Sequence, residues 1–331
     1  MINITNINNN SKIFNLILYS SLTLFLISIL VEVIYTLLYL YNITIGRTNK
    51  LVILKFLDVH SEADILDKAF EKEKNKIKDW LDNTMVKGLK ITGYNNTLLF
   101  AECFESRKYS NKWVIILHGY GSKGTNMYSV GRVFNKKGFN ILLPDLRGHG
   151  LSGANYVGMG WHDRFDVISW INNIIKINKD AEIIIYGVSM GASTALMTSG
   201  EELPKNVKCI ISDSAYTTAY EVLKHQLKKV NNMPVYVFLD SINNMCKVKN
   251  GFSLKQANTV KQVSKSSTPI LFIHGSNDSI VPTKMVFDIY KNANCKKHII
   301  IFKNIGHTMS SIINKKKYWE KIFIFIDKYT K

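Results

Sequence analysis

Cysteine is scarce in this chain. Cys103, Cys209, Cys246 and Cys295 are the only four in 331 residues, widely separated and without a C-x-x-C pair. That spacing excludes a zinc finger or ribbon and a disulfide framework. Cys209 falls inside the apolar run Val207-Lys208-Cys209-Ile210-Ile211 and reads as a free core thiol, while the other three say nothing about redox compartment. His162, His225, His274 and His298 have no partner pattern that would make a metal site, and no cofactor is expected.

Acidic residues are also few, 25 against 43 Lys and Arg, which leaves a formal net charge of +18. An excess of that size suits a nucleic-acid binder, but the lysines are scattered and form no stripe interleaved with aromatics, so nucleic acid is not an expected partner. A basic surface facing anionic lipid headgroups accounts for the charge, as does plain compositional bias.

With 46% hydrophobic residues, the chain can build one large α/β domain and an appendage. The appendage is N-terminal. Behind a tail at 1–12, the segment 13–41 holds Glu32 as its only charged residue, and Ile13 to Val31 alone matches the length of a helix crossing a hydrocarbon core. No A-x-A-like site follows it, so it reads as a single-pass anchor instead of a cleaved signal. Glu32 marks the interfacial end, with Val33 to Tyr41 along the headgroups, because a carboxylate at mid-bilayer costs at least about 2.5 kcal/mol. Lys12 precedes the span and Arg47, Lys50 and Lys55 follow it, a small bias toward a cytoplasmic C-terminal domain. A linker and helix at 42–86 come next. Ser61 to Asn83 sets Ile65, Ala69, Phe70, Ile77, Trp80 and Leu81 among charged residues, as in an amphipathic helix capped by Ser61 whose apolar face meets either the domain or the membrane surface.

Leu89 to Tyr94 and Thr97 to Phe104 flank Asn95-Asn96 and read as a β-hairpin. Apolar runs then recur at Trp113–Leu117, Asn140–Leu143, Glu182–Tyr186, Val207–Ile211, Ile270–Ile273 and Ile299–Phe302, separated by helical patterns such as Thr125–Lys137, Asp163–Ile177 and Gly191–Ser199. This alternation predicts an α/β fold with a mostly parallel, eight-stranded sheet covered by helices on both faces. Functional residues are then expected beyond the C-terminal ends of the strands.

Polar motifs stand at those exits. Gly187-Val188-Ser189-Met190-Gly191 lies between a strand and a helix, where the glycines permit a sharp turn and the new helix aims N–H groups at developing negative charge. His118-Gly119-Tyr120-Gly121 follows one strand, Asp145 to Ser152 another, Asn277-Asp278 a third and Gly306-His307 a fourth. The order Ser, Asp, His along the chain is that of an α/β-hydrolase triad. A serine hydroxyl is nearly inert at neutral pH and needs an adjacent base, and histidine has the side chain whose ordinary pKa suits that exchange. Plainer readings are a helix cap for Ser189 and a loop residue for His307. Asp213, at another strand exit, competes with Asp278 as the acid.

From about Lys87 to its end the chain resembles a serine α/β-hydrolase. The stretch Asp145 to Gly191, with Tyr156-Val157-Gly158-Met159-Gly160-Trp161, resembles bacterial membrane-anchored hydrolases of the YqkD-like group. The resemblance implies an α/β-hydrolase domain at 87–331 with a small helical cap inserted at about 214–268. It makes Ser189 the nucleophile, His307 the general base and Asp278 the acid, with the backbone N–H groups of Tyr120 and Met190 as the oxyanion hole. His118 then braces the oxyanion loop, and His149 is structural. In the cap, helical patterns run at Thr218–Lys229, Val235–Cys246 and Gly251–Lys265, and Tyr216, Tyr220, Tyr236 and Phe238 either line an acyl pocket or fill the core. The implied activity is cleavage of esters or thioesters of a small molecule, a lipid or an acylated protein through an acyl-enzyme. Two alternatives stay open. One is a serine peptidase of prolyl-oligopeptidase-like type, against which stand Ala192 in place of a second glycine and the lack of a preceding propeller. The other is a hydrolase-shaped binding protein without turnover.

Overall fold

Strands rich in Ile, Val and Leu on both faces can only be satisfied when helices cover both faces, and the chain does this around a single sheet. A computed structural model describes residues 4–47, 63–229 and 235–330. The eight strands are β1 (Val86–Thr92), β2 (Leu98–Phe104), β3 (Lys112–Leu117), β4 (Asn140–Pro144), β5 (Glu182–Val188), β6 (Val207–Asp213), β7 (Ile270–Gly275) and β8 (Lys297–Phe302). They lie in the order β1-β2-β4-β3-β5-β6-β7-β8. β1 and β2 form the expected hairpin through a short turn at Tyr94–Asn96, β2 pairs antiparallel with β4, and all later pairings are parallel.

The pleat sends alternate residues of each central strand into two separate cores. Trp113, Ile115, Leu117, Ile183 and Ile185 face one, and Val114, Ile116, Ile184 and Tyr186 face the other. On the first face pack α4 (Asp163–Ile177), α5 (Met190–Thr198) and α9 (Lys284–Asn292), together with the cap helices α6 (Ala219–Leu227), α7 (Val235–Asn250) and α8 (Thr259–Val263). On the second lie α2 (Ala63–Asp82), α3 (Tyr128–Lys136), a short α10 (Ser310–Ile313) and α11 (Lys315–Asp327). The cap is shorter in helix than its sequence pattern implies. Gly251 to Lys265 contains only the five residues of α8, preceded by turns.

The N-terminal helix α1 (Ile4–Thr44) is long and apolar enough over Lys12–Thr44 to cross a membrane. It runs through the exposed Glu32 without interruption, so Val33 to Tyr41 continue the same rod. Once in the helix, each backbone group is paired within the segment, and an isolated carboxylate at its surface gives no reason to break that ladder. Of the two surfaces open to α2, the domain takes it. Trp80 stacks on Phe104 with ring centroids 4.6 Å apart and donates to Asn135 Oδ1 at 2.9 Å, while Glu73 pairs with Arg132 and Lys315. The cap assigned to Ser61, and Lys50 and Lys55, lie outside the described residues.

Candidate active site

Ser189 occupies the turn between β5 and α5 with φ 53° and ψ −118°, a conformation costing a non-glycine residue about 1–3 kcal/mol. The flanking glycines are there because backbone packs on backbone. A Cβ on Gly187 would stand 2.2 Å from the Gly191 carbonyl oxygen, and one on Gly191 would stand 2.2 Å from that of Leu117. Ser189 does sit at the cap position of α5, but its side chain makes no capping bond. Its Oγ points to His307 instead, at 2.8 Å from Nε2.

His307 follows β8 and is nearly buried. Its Nδ1 lies 2.7 Å from Asp278 Oδ2, so an N–H there donates to the carboxylate and leaves the Nε2 lone pair for the serine proton. Asp278 is held from several sides. Oδ1 accepts the backbone N–H groups of Ile280 at 2.9 Å and Val281 at 2.7 Å, and His274 Nε2 lies 3.1 Å from Oδ2. Burial alone would raise its pKa, but the charge of His307 and the hydrogen bonds from His274 and His307 outweigh burial and hold it well below the usual carboxylate range. The carboxylate therefore stays ionised wherever the histidine titrates.

Asp213 is engaged elsewhere. It accepts from Ser214 Oγ at 2.9 Å and from Tyr318 Oη at 2.7 Å, and the Tyr318 and Tyr186 hydroxyls are themselves 2.7 Å apart. The geometry thus joins His307 to Asp278 and leaves Asp213 in a buried tyrosine network behind the site.

The loop after β3 passes against the serine: a Cβ on Gly119 would lie 3.5 Å from Ser189 Cβ. Met190 is the first residue of α5, so its N–H has no acceptor within the helix. Two histidines clip the loop carrying Tyr120. His118 Nδ1–H donates to Gly119 O at 2.8 Å while Nε2 accepts Leu146 N–H at 2.9 Å; burial holds its pKa down to about 4, so it is neutral. His149 Nε2 accepts Gly121 N–H at 3.1 Å and its Nδ1 faces Arg147 O at 3.0 Å. Gly148 and Gly150 have φ of 72° and 49°, and Ser152 Oγ bonds Asp145 O at 2.6 Å, so this turn is structural as its residues suggest.

Among the cap aromatics, Tyr216 and Tyr220 are buried in the core, with hydroxyls on Met159 O at 3.0 Å and Asp240 at 2.9 Å, and Tyr236 is exposed. His274, which the sequence marks only as a histidine without a metal-site pattern, joins the site beside Asp278. The signal was present as His274-Gly275-Ser276-Asn277-Asp278, a spacing that returns the carboxylate to the strand-end histidine. Among the described residues no group of three or more His, Cys, Asp or Glu side chains could hold a metal ion. The arrangement can draw a proton from Ser189 Oγ onto His307 Nε2 while Asp278 stabilises the resulting imidazolium.

Comparison with known proteins bears on the fold. A family model described as the alpha/beta hydrolase fold matches residues 112–240. The chain is 28% identical over 217 residues to the uncharacterized protein YqkD of Bacillus subtilis, covering 65% of this chain and 70% of that protein. It is 23% identical over 271 residues to the putative esterase/lipase 2 of Mycoplasma genitalium, covering 73% of this chain and 98% of the other. A solved esterase of Pyrococcus furiosus superposes with a TM-score of 0.62 at 21% identity, covering 75% of this chain and 93% of the esterase.

Proposed function

Since the chain belongs to the α/β-hydrolase superfamily, we propose that it is a membrane-anchored serine hydrolase cleaving carboxylic ester or thioester bonds. In this reading the domain at 87–331 carries the chemistry, with its cap at about 214–268, and α1 holds it at the bilayer. Ser189 attacks the acyl carbon as His307 takes its proton. The tetrahedral oxyanion is stabilised by the N–H groups of Met190 and Tyr120. His307 then protonates the leaving oxygen or sulfur, and water, activated by the same ring, releases the acid. The observation that carries the reading is the unbroken line Ser189 Oγ, His307, Asp278, at 2.8 and 2.7 Å. The esterase or lipase names of relatives, and a helix of membrane-spanning length, favour acyl lipids or acylated membrane proteins as substrates.

The test is labelling of the detergent-solubilised protein with a fluorescent fluorophosphonate, compared with Ser189→Ala. Ser189-dependent labelling is expected, and its absence sinks the enzyme reading. Turnover of p-nitrophenyl acyl esters but not aminoacyl anilides is expected to follow, and the reverse preference would make the protein a peptidase.

A further inference from the structure

The end of α1 does not lead away from the domain; it is built into it. Leu40, Tyr41 and Ile45 belong to the main core, and Ile45 is completely buried. Gly46 forms an antiparallel bridge with Tyr156, Val157 N–H donates to Ile45 O at 2.7 Å, and Arg47 N–H donates to Asn155 O at 3.0 Å. On the cap side, Tyr41 Oη donates to Asn250 Oδ1 at 2.9 Å.

Two further contacts reach the loops beside Ser189. Tyr120 Oη donates to Thr44 O at 2.6 Å and lies 3.3 Å from Ile43 O, which are among the last carbonyls of α1 and have no acceptor role within the helix. Burial pushes the pKa of this hydroxyl far above its ordinary value, so it stays a donor at any pH where the histidine works. The Arg47 guanidinium donates to Gly150 O at 2.8 Å and Ser152 O at 2.5 Å, with Ala154 O at 3.3 Å. That second loop carries His149, which accepts the Gly121 N–H. Tyr120 is thus tied on both sides to residues 43–47: through its own side chain, and through the next peptide by way of His149.

The tie matters because Tyr120 stands between Gly119 and Gly121, the latter at φ 70°. Glycines leave the flanking dihedrals free to rotate, and the planar peptide that carries this N–H is held at its carbonyl end by His118 Nδ1–H at 2.8 Å and Ser122 N–H at 3.3 Å on Gly119 O, so residues 43–47 hold its other end, at Tyr120. An oxyanion donor contributes only when held about 2.7–3.1 Å from where the oxygen will be.

We infer that residues 43–47, the end of the apolar helix, position the Tyr120 N–H for the oxyanion, so that the anchor is part of the active site and not merely a tether. The inference rests on the proposed role of Tyr120.

The experiment uses the full chain in lipid nanodiscs, with Tyr120→Phe and Arg47→Ala as test variants. Tyr41→Phe, which removes a docking bond away from the oxyanion loop, is the control. Three quantities are read: the rate of Ser189 labelling by a fluorophosphonate, kcat and KM for p-nitrophenyl butyrate, and the affinity of a trifluoromethyl ketone, whose adduct places an oxyanion in the hole. Tyr120→Phe and Arg47→Ala are expected to lower kcat and the labelling rate about tenfold with KM changed by less than about twofold, and to weaken the ketone by a similar factor. Tyr41→Phe is expected to leave all three unchanged. Arg47 is exposed, so its replacement keeps the test open if Tyr120→Phe does not fold. Wild-type rates in both test variants would overturn the inference and leave the function standing, as would an equal loss in Tyr41→Phe, which would mark the contacts as docking alone. Failure of the wild-type protein to label at Ser189 would overturn both.

Discussion

His274 Nε2 lies 3.1 Å from Asp278 Oδ2, the same oxygen that faces His307 Nδ1 at 2.7 Å. The carboxylate is therefore shared between two imidazoles, one at the end of β7 and one after β8. Every interaction that satisfies Asp278 from behind reduces the pull it exerts on the proton of His307. His274 is in this sense a positioning and tuning residue for the proposed base.

Replacing His274 by Phe removes that competing partner. A less satisfied carboxylate stabilises the His307 imidazolium more strongly, so the histidine holds its proton to higher pH. The acid limb of the kcat/KM profile for a p-nitrophenyl ester is expected to shift upward, with activity lost on the acid side of the wild-type profile and retained on its alkaline side. His274→Gln, whose amide can still donate toward Oδ2, is expected to reverse part of the shift. An unchanged limb in the Phe variant would mean that His274 serves only its bond to Val281 O, 2.9 Å from Nε2, and does not tune the carboxylate.

Asp278 and Asp213 are separated by an amide replacement at each. Asp278→Asn keeps the shape but cannot hold the His307 tautomer, and is expected to lower kcat about 10³–10⁴-fold. Asp213→Asn is expected to keep kcat within about tenfold while destabilising the fold by about 1–3 kcal/mol, because the buried amide meets donors at Ser214 and Tyr318. Steady-state kinetics and urea unfolding on the two variants distinguish these effects, and exchanged outcomes would move the acid to β6.

The turn at Ser189 yields a stability prediction independent of any substrate. At φ 53° an L side chain is strained, and glycine is not. Ser189→Gly is expected to exceed Ser189→Ala in stability by on the order of 1 kcal/mol, measured by denaturant unfolding. Both variants lack the hydroxyl, so the difference isolates the backbone. Equal stabilities would show that the strain is relieved elsewhere.

Much of this was legible in the chain because the relevant signals are local. Val114 to Leu117 and Ile183 to Tyr186 announce buried strands by composition, and a G-x-S-x-G turn between strand and helix announces itself by position. What stayed illegible depends on pairings distant in sequence. Asp213 ends β6 and Asp278 follows β7, and it takes the Tyr318 hydroxyl, 105 residues from Asp213, to show which carboxylate is already engaged. Gly251 to Asn258 carry a pattern that passes for a helical period but form turns, so α8 is shorter than that pattern predicts. The docking of α1 on Tyr120 spans 76 residues and runs through backbone carbonyls, which leave no trace in side-chain pattern.

Asp163 supplies a pH-dependent term in stability. It is fully buried in the first turn of α4, where Oδ2 accepts Gly160 N–H at 3.0 Å and Oδ1 has no hydrogen-bond partner. Burial, helped by the nearby Asp166 and opposed by Arg147, raises its pKa from 3.8 to about 7. The folded state therefore binds a proton that the unfolded chain gives up, so its contribution is fully present below about pH 4 and is lost as pH rises through about 7. His118 and His162 act oppositely: held down to about 4, they bind protons more readily when unfolded, and stability gains from them as pH rises toward 6.5. The wild-type curve mixes these terms, and a comparison with Asp163→Asn separates them. Asparagine can still accept the Gly160 N–H and carries no charge at any pH, so its variant is expected to gain on the wild type between about pH 5 and 7 and to level off above that. Thermal unfolding of both proteins across that range checks it, and parallel curves would show that Asp163 is already ionised in the folded protein at pH 5.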